Sequence, residues 1–137
     1  EMLDVITYIL AAIAAISLVV SAIMIMVVMY ISVVERTREI GVLKAIGARR
    51  KDVRRIFVAE SFLIGLTSGL FGLLVAIGLS LLINGITRGL YEVDLVVVSI
   101  SYALFGIAVS TGISVLSGLA PASKAAKLDP VESLRRE

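Results

Sequence analysis

The sequence predicts an all-α membrane protein. It should have three transmembrane helices, a short amphipathic helix between the first two, and a short helix at the C-terminus. Three observations carry this reading. Hydrophobic residues make up 59% of the 137 and charged residues 18%, whereas soluble domains carry about 25% charged residues. The charges are bunched, and they leave Val5–Val34, Ser61–Thr87 and Leu95–Ser123 without a single Asp, Glu, Lys or Arg: stretches of 30, 27 and 29 residues. The Lys and Arg residues fall on alternate sides of those stretches. There are eight in the segment 35–60 and four from Lys124 onward, but one in 88–94 and none in the first four residues.

About 20 apolar residues cross the hydrocarbon core as a helix. A helix is favoured there because it satisfies its own N–H and C=O groups where no water can. Short cytoplasmic loops collect Lys and Arg. The N-terminus is therefore expected outside, with loop 35–60 and tail 124–137 in the cytoplasm and loop 88–94 outside. A secretory leader does not fit the first stretch, which lacks a basic lead-in and is too long. With no cysteine and no histidine, disulfides, thiolate metal sites and Ser-His catalysis are excluded. Together these absences point away from an enzyme.

In the first span, Ala11, Ala12, Ala14 and Ala15 precede the bulkier Val19, Val20, Ile23, Met24, Ile25, Met26 and Met29, a mostly lipid-facing pattern. Thirty helical residues reach about 45 Å, beyond the roughly 30 Å of hydrocarbon. The surplus implies either tilt or a projecting stalk. In Glu35–Ala48, Ile40, Leu43 and Ile46 recur at helical spacing, and Gly47 is placed as a stop. Gly41, Ala45, Gly47 and Ala48 leave little bulk, which suits close approach to another protein as well as it suits the membrane surface. A second helical pattern, Val53, Ile56, Phe57 and Glu60, leads into the second span. Glu60 is placed for an interfacial ion pair or a helix start, with Arg55 five residues before it.

The second span carries Ser61, Gly65 and Gly69 at four-residue spacing, with Ser68, Gly72 and Ala76 beside them. The third carries Gly106, Ser110, Ser114, Gly118 and Ala122. Small residues let helices pack closely in lipid, within this chain and with a second copy. Asn84 is expected to serve a helix end. Pro121 should kink or end the third helix, because it lacks an N–H. Asp129, Pro130 and Glu132 read as N-cap, N1 and N3 of a terminal helix. The Arg49–Arg55 cluster adjoins lipid with few aromatics around it, so it suits topology and anionic headgroups rather than nucleic acid. The stretch ending Ser123-Lys124-Ala125 fails the phosphate-loop pattern, so ATP binding by this chain is not expected. No metal site or other cofactor is expected.

The run Glu35-Arg36-Thr37-Arg38-Glu39-Ile40-Gly41, continuing Ala45-Ile46-Gly47-Ala48, resembles the cytoplasmic loop of FtsX-like permeases of ABC transporters, the group that includes macrolide-export and lipoprotein-release permeases. Phe57 and Glu60 match that family's F-x-x-E at the start of the next span. The tail from Pro121-Ala122 through Ala125-Ala126-Lys127-Leu128-Asp129-Pro130-Val131-Glu132 to Leu134-Arg135 is similar to its closing signature. Ser123 and Ser133 depart from it, standing where a basic residue and alanine are common. The resemblance implies a four-span permease with a large extracytoplasmic domain, of which the first span and that domain are absent here.

The resemblance further implies that a cytoplasmic ABC ATPase grips residues Glu39, Ile40, Gly41, Leu43, Lys44, Ala45, Gly47 and Ala48 as a coupling helix. ATP bound by that partner would draw two permease copies together, and the long first helix would carry the motion outward across a prokaryotic cytoplasmic membrane. Glu35, Arg36, Arg38 and Glu60 form the loop motif, and Pro121, Asp129, Pro130 and Glu132 the tail motif. Gly65, Gly69, Gly72, Gly106, Ser110 and Gly118 are the expected packing positions. Two other readings stay open on the residues alone: a small dimeric ion-coupled carrier with Glu60 as its proton site, and a passive membrane scaffold.

Overall fold

A computed structural model describes residues 1–91, 96–129, 131 and 133. Among the described residues it contains four helices and no strand: α1 (Met2–Glu35), α2 (Thr37–Ala45), α3 (Arg50–Tyr91) and α4 (Ile100–Lys127). Three of these, α1, α3 and α4, are long and apolar enough to cross a membrane. The protein is a multi-pass membrane protein.

α4 is the central element. It packs along α3 and against part of α1, while α1 and α3 barely touch each other. The α3–α4 seam is antiparallel and built on small residues. The Ser114 hydroxyl donates to the Ser61 carbonyl at 2.6 Å, and the Ser110 hydroxyl to the Gly65 carbonyl at 3.0 Å. A Cβ on Gly65 would lie 2.6 Å from the Ser114 Cβ and 2.7 Å from the Thr111 Cα, and one on Gly69 would lie 3.1 Å from the Ile107 Cα. Gly118 lies against Ser61 just as tightly. In lipid no hydrophobic effect draws helices together, so close contact and such hydrogen bonds hold the seam.

The apolar core sits elsewhere, at the Lys- and Arg-rich end. Met29 and Val33 of α1, Ile40 of α2, Val53 and Phe57 of α3, and Ala122 and Ala125 of α4 are buried together. Four helices converge only there. Water competes at that end, so burial of apolar surface stabilises the cluster in the ordinary way. The other end of α1 is bare: residues 1–21 are all exposed.

Local expectations meet the structure at three places. Of the two outcomes expected at Pro121, a kink or an end, the end does not occur, since α4 continues to Lys127. Proline removes one backbone bond, but Pro121 and Ala122 are buried and Ala125 packs in the core, so tertiary contacts carry the helix past it. Leu95, the expected start of the third span, lies outside the described residues. Residues 96–99 are non-helical, with Ser99 extended as the N-cap, and the helix begins at Ile100. Asn84 does not serve a helix end, because α3 runs on to Tyr91. Its side chain instead clamps the returning chain. Nδ2 donates to the Val96 carbonyl at 2.7 Å and Oδ1 accepts the Val96 N–H at 3.0 Å, with the Ser80 hydroxyl on the same carbonyl.

Candidate functional site

The basic end offers one small element that is fixed on one side and bare on the other: α2. It leaves α1 after a single non-helical residue, Arg36, whose N–H still bonds the Ser32 carbonyl at 3.1 Å. The Thr37 hydroxyl donates back to the Val33 and Val34 carbonyls at 3.0 and 2.8 Å. α2 ends in a Schellman motif. The Gly47 N–H bonds the Lys44 carbonyl and the Ala48 N–H the Leu43 carbonyl, with Gly47 at φ +107°. This left-handed position favours glycine. The helix stops at Ala45, so the expected stretch to Ala48 is shorter by the length of that cap. The Arg49 N–H donates to Asp52 Oδ2 at 3.0 Å, starting α3 with a reach-back acid.

Three ties hold α2 and its neighbours in register. Ile40 is in the core. Arg36 Nη1 lies 3.5 Å from Glu60 Oε2, so Glu60 pairs across to the α1–α2 junction. Both side chains are partly exposed, and such pairs contribute about 0–1 kcal/mol. The third tie is Lys44. Its ammonium donates to the Ala126 carbonyl at 2.7 Å and the Leu128 carbonyl at 2.6 Å. These groups lie at the C-terminal end of α4, where a helix carries partial negative charge and unpaired acceptors. Burial first, and the nearby Arg50 second, lower the Lys44 pKa below its ordinary value, while Asp129 raises it. Lys124 adds a contact from α4 to α1, with its ammonium 5.0 Å from the centre of the Tyr30 ring.

The tail continues this arrangement. Asp129 Oδ1 accepts the Val131 N–H at 2.9 Å, the bond expected of an N-cap. The Ser133 N–H and hydroxyl both return to the Asp129 carbonyl, at 2.9 and 2.6 Å. Ser133 is buried, so this departure from the family pattern adds a hydrogen bond. Pro130 and Glu132 lie outside the described residues.

The outward side of α2 differs from the small-residue face expected. Gly41 is buried. The exposed surface is apolar bulk: Val42 is 47% exposed, Leu43 38% and Ile46 79%, with Arg38, Glu39 and Ala45 around them. Period alone could not show which stripe turned inward, because both stripes of α2 contain apolar residues. The remaining predicted residues divide. Gly65, Gly69, Ser110 and Gly118 are in the α3–α4 seam. A Cβ on Gly72 or Gly106 would meet nothing within 4 Å; both line an open lateral groove of about 460 Å³ between α3 and α4. Glu35 is exposed, and Ala48 is half-buried in the cap that closes α2. The Lys44 latch had no local signal, since it spans more than eighty residues of sequence.

The described helices form a multi-pass helical domain with a cross-helix anchored at its basic end, the class of integral membrane proteins. The chain belongs to the FtsX-like permease family: the model of its C-terminal domain matches residues 11–130. It is 46% identical over 128 residues to a macrolide export ATP-binding/permease protein MacB of Bdellovibrio bacteriovorus, covering 93% of this chain and 19% of that protein. It is 44% identical over 131 residues to the MacB of Acinetobacter baylyi, covering 96% and 19%. It is 42% identical over 131 residues to the probable syringafactin export ATP-binding/permease protein SyfD of Pseudomonas syringae pv. tomato, again covering 96% and 19%. The chain thus spans about a fifth of the length of the curated relatives it matches, and it is an ABC-transporter permease domain corresponding to their permease region.

Proposed function

We propose that this domain carries the motion of an ATP-hydrolysing motor across a prokaryotic cytoplasmic membrane, as part of an exporter. The motor, on the cytoplasmic side, docks on the exposed face of α2. α1 and α4 then move with it, and a second permease copy faces this one in the membrane. The Lys- and Arg-rich end is cytoplasmic by the positive-inside rule. The export class is supported by the names of the relatives, a macrolide export protein and a probable syringafactin export protein. ATP is bound by the motor and not by this chain.

The observation that carries the proposal is the bare apolar face of α2, Val42, Leu43 and Ile46, on a helix whose other side is anchored by Ile40 and Lys44. An anchored helix transmits a push; a loose one absorbs it. The test is Ile46→Asp in the full-length protein, reconstituted with its ATPase. Placing a charge in a packed apolar contact costs about 2 kcal/mol or more. Motor association should therefore weaken about thirtyfold, and transport-coupled ATP turnover should fall with it. The thermal midpoint should hold, because the side chain is exposed. Unchanged association together with unchanged coupled turnover would refute the docking.

A further inference from the structure

A second surface at the basic end is not used by the motor reading and does not depend on it. Lys51, Arg54, Arg55 and Val58 lie at i, i+3, i+4 and i+7 on α3, so they share one face. With Leu119 of α4 they line an open cleft of about 380 Å³. The three cations are exposed, and none has a described carboxylate within ion-pair distance. They repel one another at this spacing. They also sit on the first turns of α3, where the helix end is itself positive. The one acid in that turn, Asp52, is already engaged by the Arg49 N–H. Val53 and Phe57 turn to the core and Arg50 lies toward Lys44, so the 51/54/55 face stays outward. Positive charge is concentrated there, and no described carboxylate lies within ion-pair distance of it.

The floor of the cleft is of another kind. Val58 and Leu119 are apolar and half-buried. They lie next to the ends of the charge-free runs that begin at Ser61 and close at Ser123. The cations are therefore at headgroup depth and the floor at the edge of the hydrocarbon. A soluble acidic partner would satisfy the rim and leave the floor wet. A phosphate ester with a hydrocarbon chain satisfies both.

We propose that this cleft holds one anionic phospholipid per chain, with its phosphate on Lys51, Arg54 and Arg55 and its acyl chain over Val58 and Leu119. The experiment is a titration of the full-length, detergent-purified protein with phosphatidylglycerol, read by native mass spectrometry. One tight phosphatidylglycerol is expected, with phosphatidylcholine bound at least tenfold more weakly, on the order of what two or three interfacial cations contribute. The triple variant Lys51→Gln/Arg54→Gln/Arg55→Gln should lose that preference. The control pair Arg38→Gln/Lys127→Gln, exposed cations elsewhere, should keep it. Leu119→Ser should weaken the lipid severalfold, and glycerophosphoglycerol, the headgroup without chains, should fail to displace it at equal concentration. Equal binding of both lipids, an unaffected triple variant, a control pair that loses the preference equally, or ready displacement by the chainless headgroup would each overturn the assignment. The last result would leave a simple anion site. Arg54→Gln alone, expected to reduce binding severalfold, serves as the readout if the triple variant does not fold.

Discussion

At the scale of single residues, Lys44 has the widest consequences. Its two carbonyl partners belong to the end of α4, so one side chain joins elements far apart in sequence. Hydrogen bonds from charged donors contribute about 1.5–3 kcal/mol. Lys44→Met should therefore loosen residues 126–133 by up to about that amount while the spans remain intact. Hydrogen exchange should show faster amide exchange in the tail and unchanged exchange in α3. The pH dependence has a definite sign. Burial and Arg50 lower the pKa of Lys44 in the folded chain, so the unfolded chain holds that proton more tightly. Between the lowered value and the ordinary 10.5, stability should rise with pH on account of this group. Asp129→Asn removes the one influence that raises the pKa, and should widen that window downward. A titration of unfolding midpoints in detergent, wild type against Asp129→Asn, checks it; a narrower window in the variant would contradict the assignment of partners. None of this was legible beforehand. The sequence pattern puts Lys44 on α2, but its partner is a backbone brought close only by the fold.

At the scale of helices, the glycines separate into two kinds. Gly65→Ala would force its Cβ to 2.6 Å from the Ser114 Cβ and 2.7 Å from a backbone carbon. The helices must part, at a cost of about 1–3 kcal/mol. Gly72→Ala meets nothing within 4 Å and should be neutral or slightly stabilising through helix propensity. Thermal midpoints of the two variants in the same detergent should differ by several degrees, and equal midpoints would refute the seam. Four-residue spacing of small residues revealed which helices pack, because period is a property of sequence. It could not tell the contact stripe from the groove stripe, since Gly69 and Gly72 lie on the same helix with similar neighbours. The same limit explains α2, where Ile40 and Gly41 turned inward and Val42 and Ile46 outward. At Pro121 the missing N–H permits a helix end that does not occur, because the packing of Ala122 and Ala125 carries α4 onward.

At the scale of the whole molecule, the spans were legible because charge is so costly in hydrocarbon that its absence marks them. The distribution of packing among them was not, since hydropathy treats all three alike. Structurally they are unequal. α1 is joined to the rest at Met29 and Val33 and is exposed from residue 1 to 21. Spin labels at Ile6 should therefore give a broader distance distribution to a label at Leu104 than labels at Val34 do, measured on monomeric protein in detergent. Equally narrow distributions would show that the outer part of α1 is held in place.

The central position of α4 bears on how the protein is made. α1 and α3 barely touch, and each finds its main partner in α4, which follows both along the chain. Until Ile100–Lys127 has entered the bilayer, the earlier spans have almost nothing of their own to recognise, and the apolar knot at the basic end lacks Ala122 and Ala125. Assembly of these helices must wait for α4, so nascent chains that end before it should leave α1 and α3 apart in the membrane as unassociated rods open to quality-control proteases.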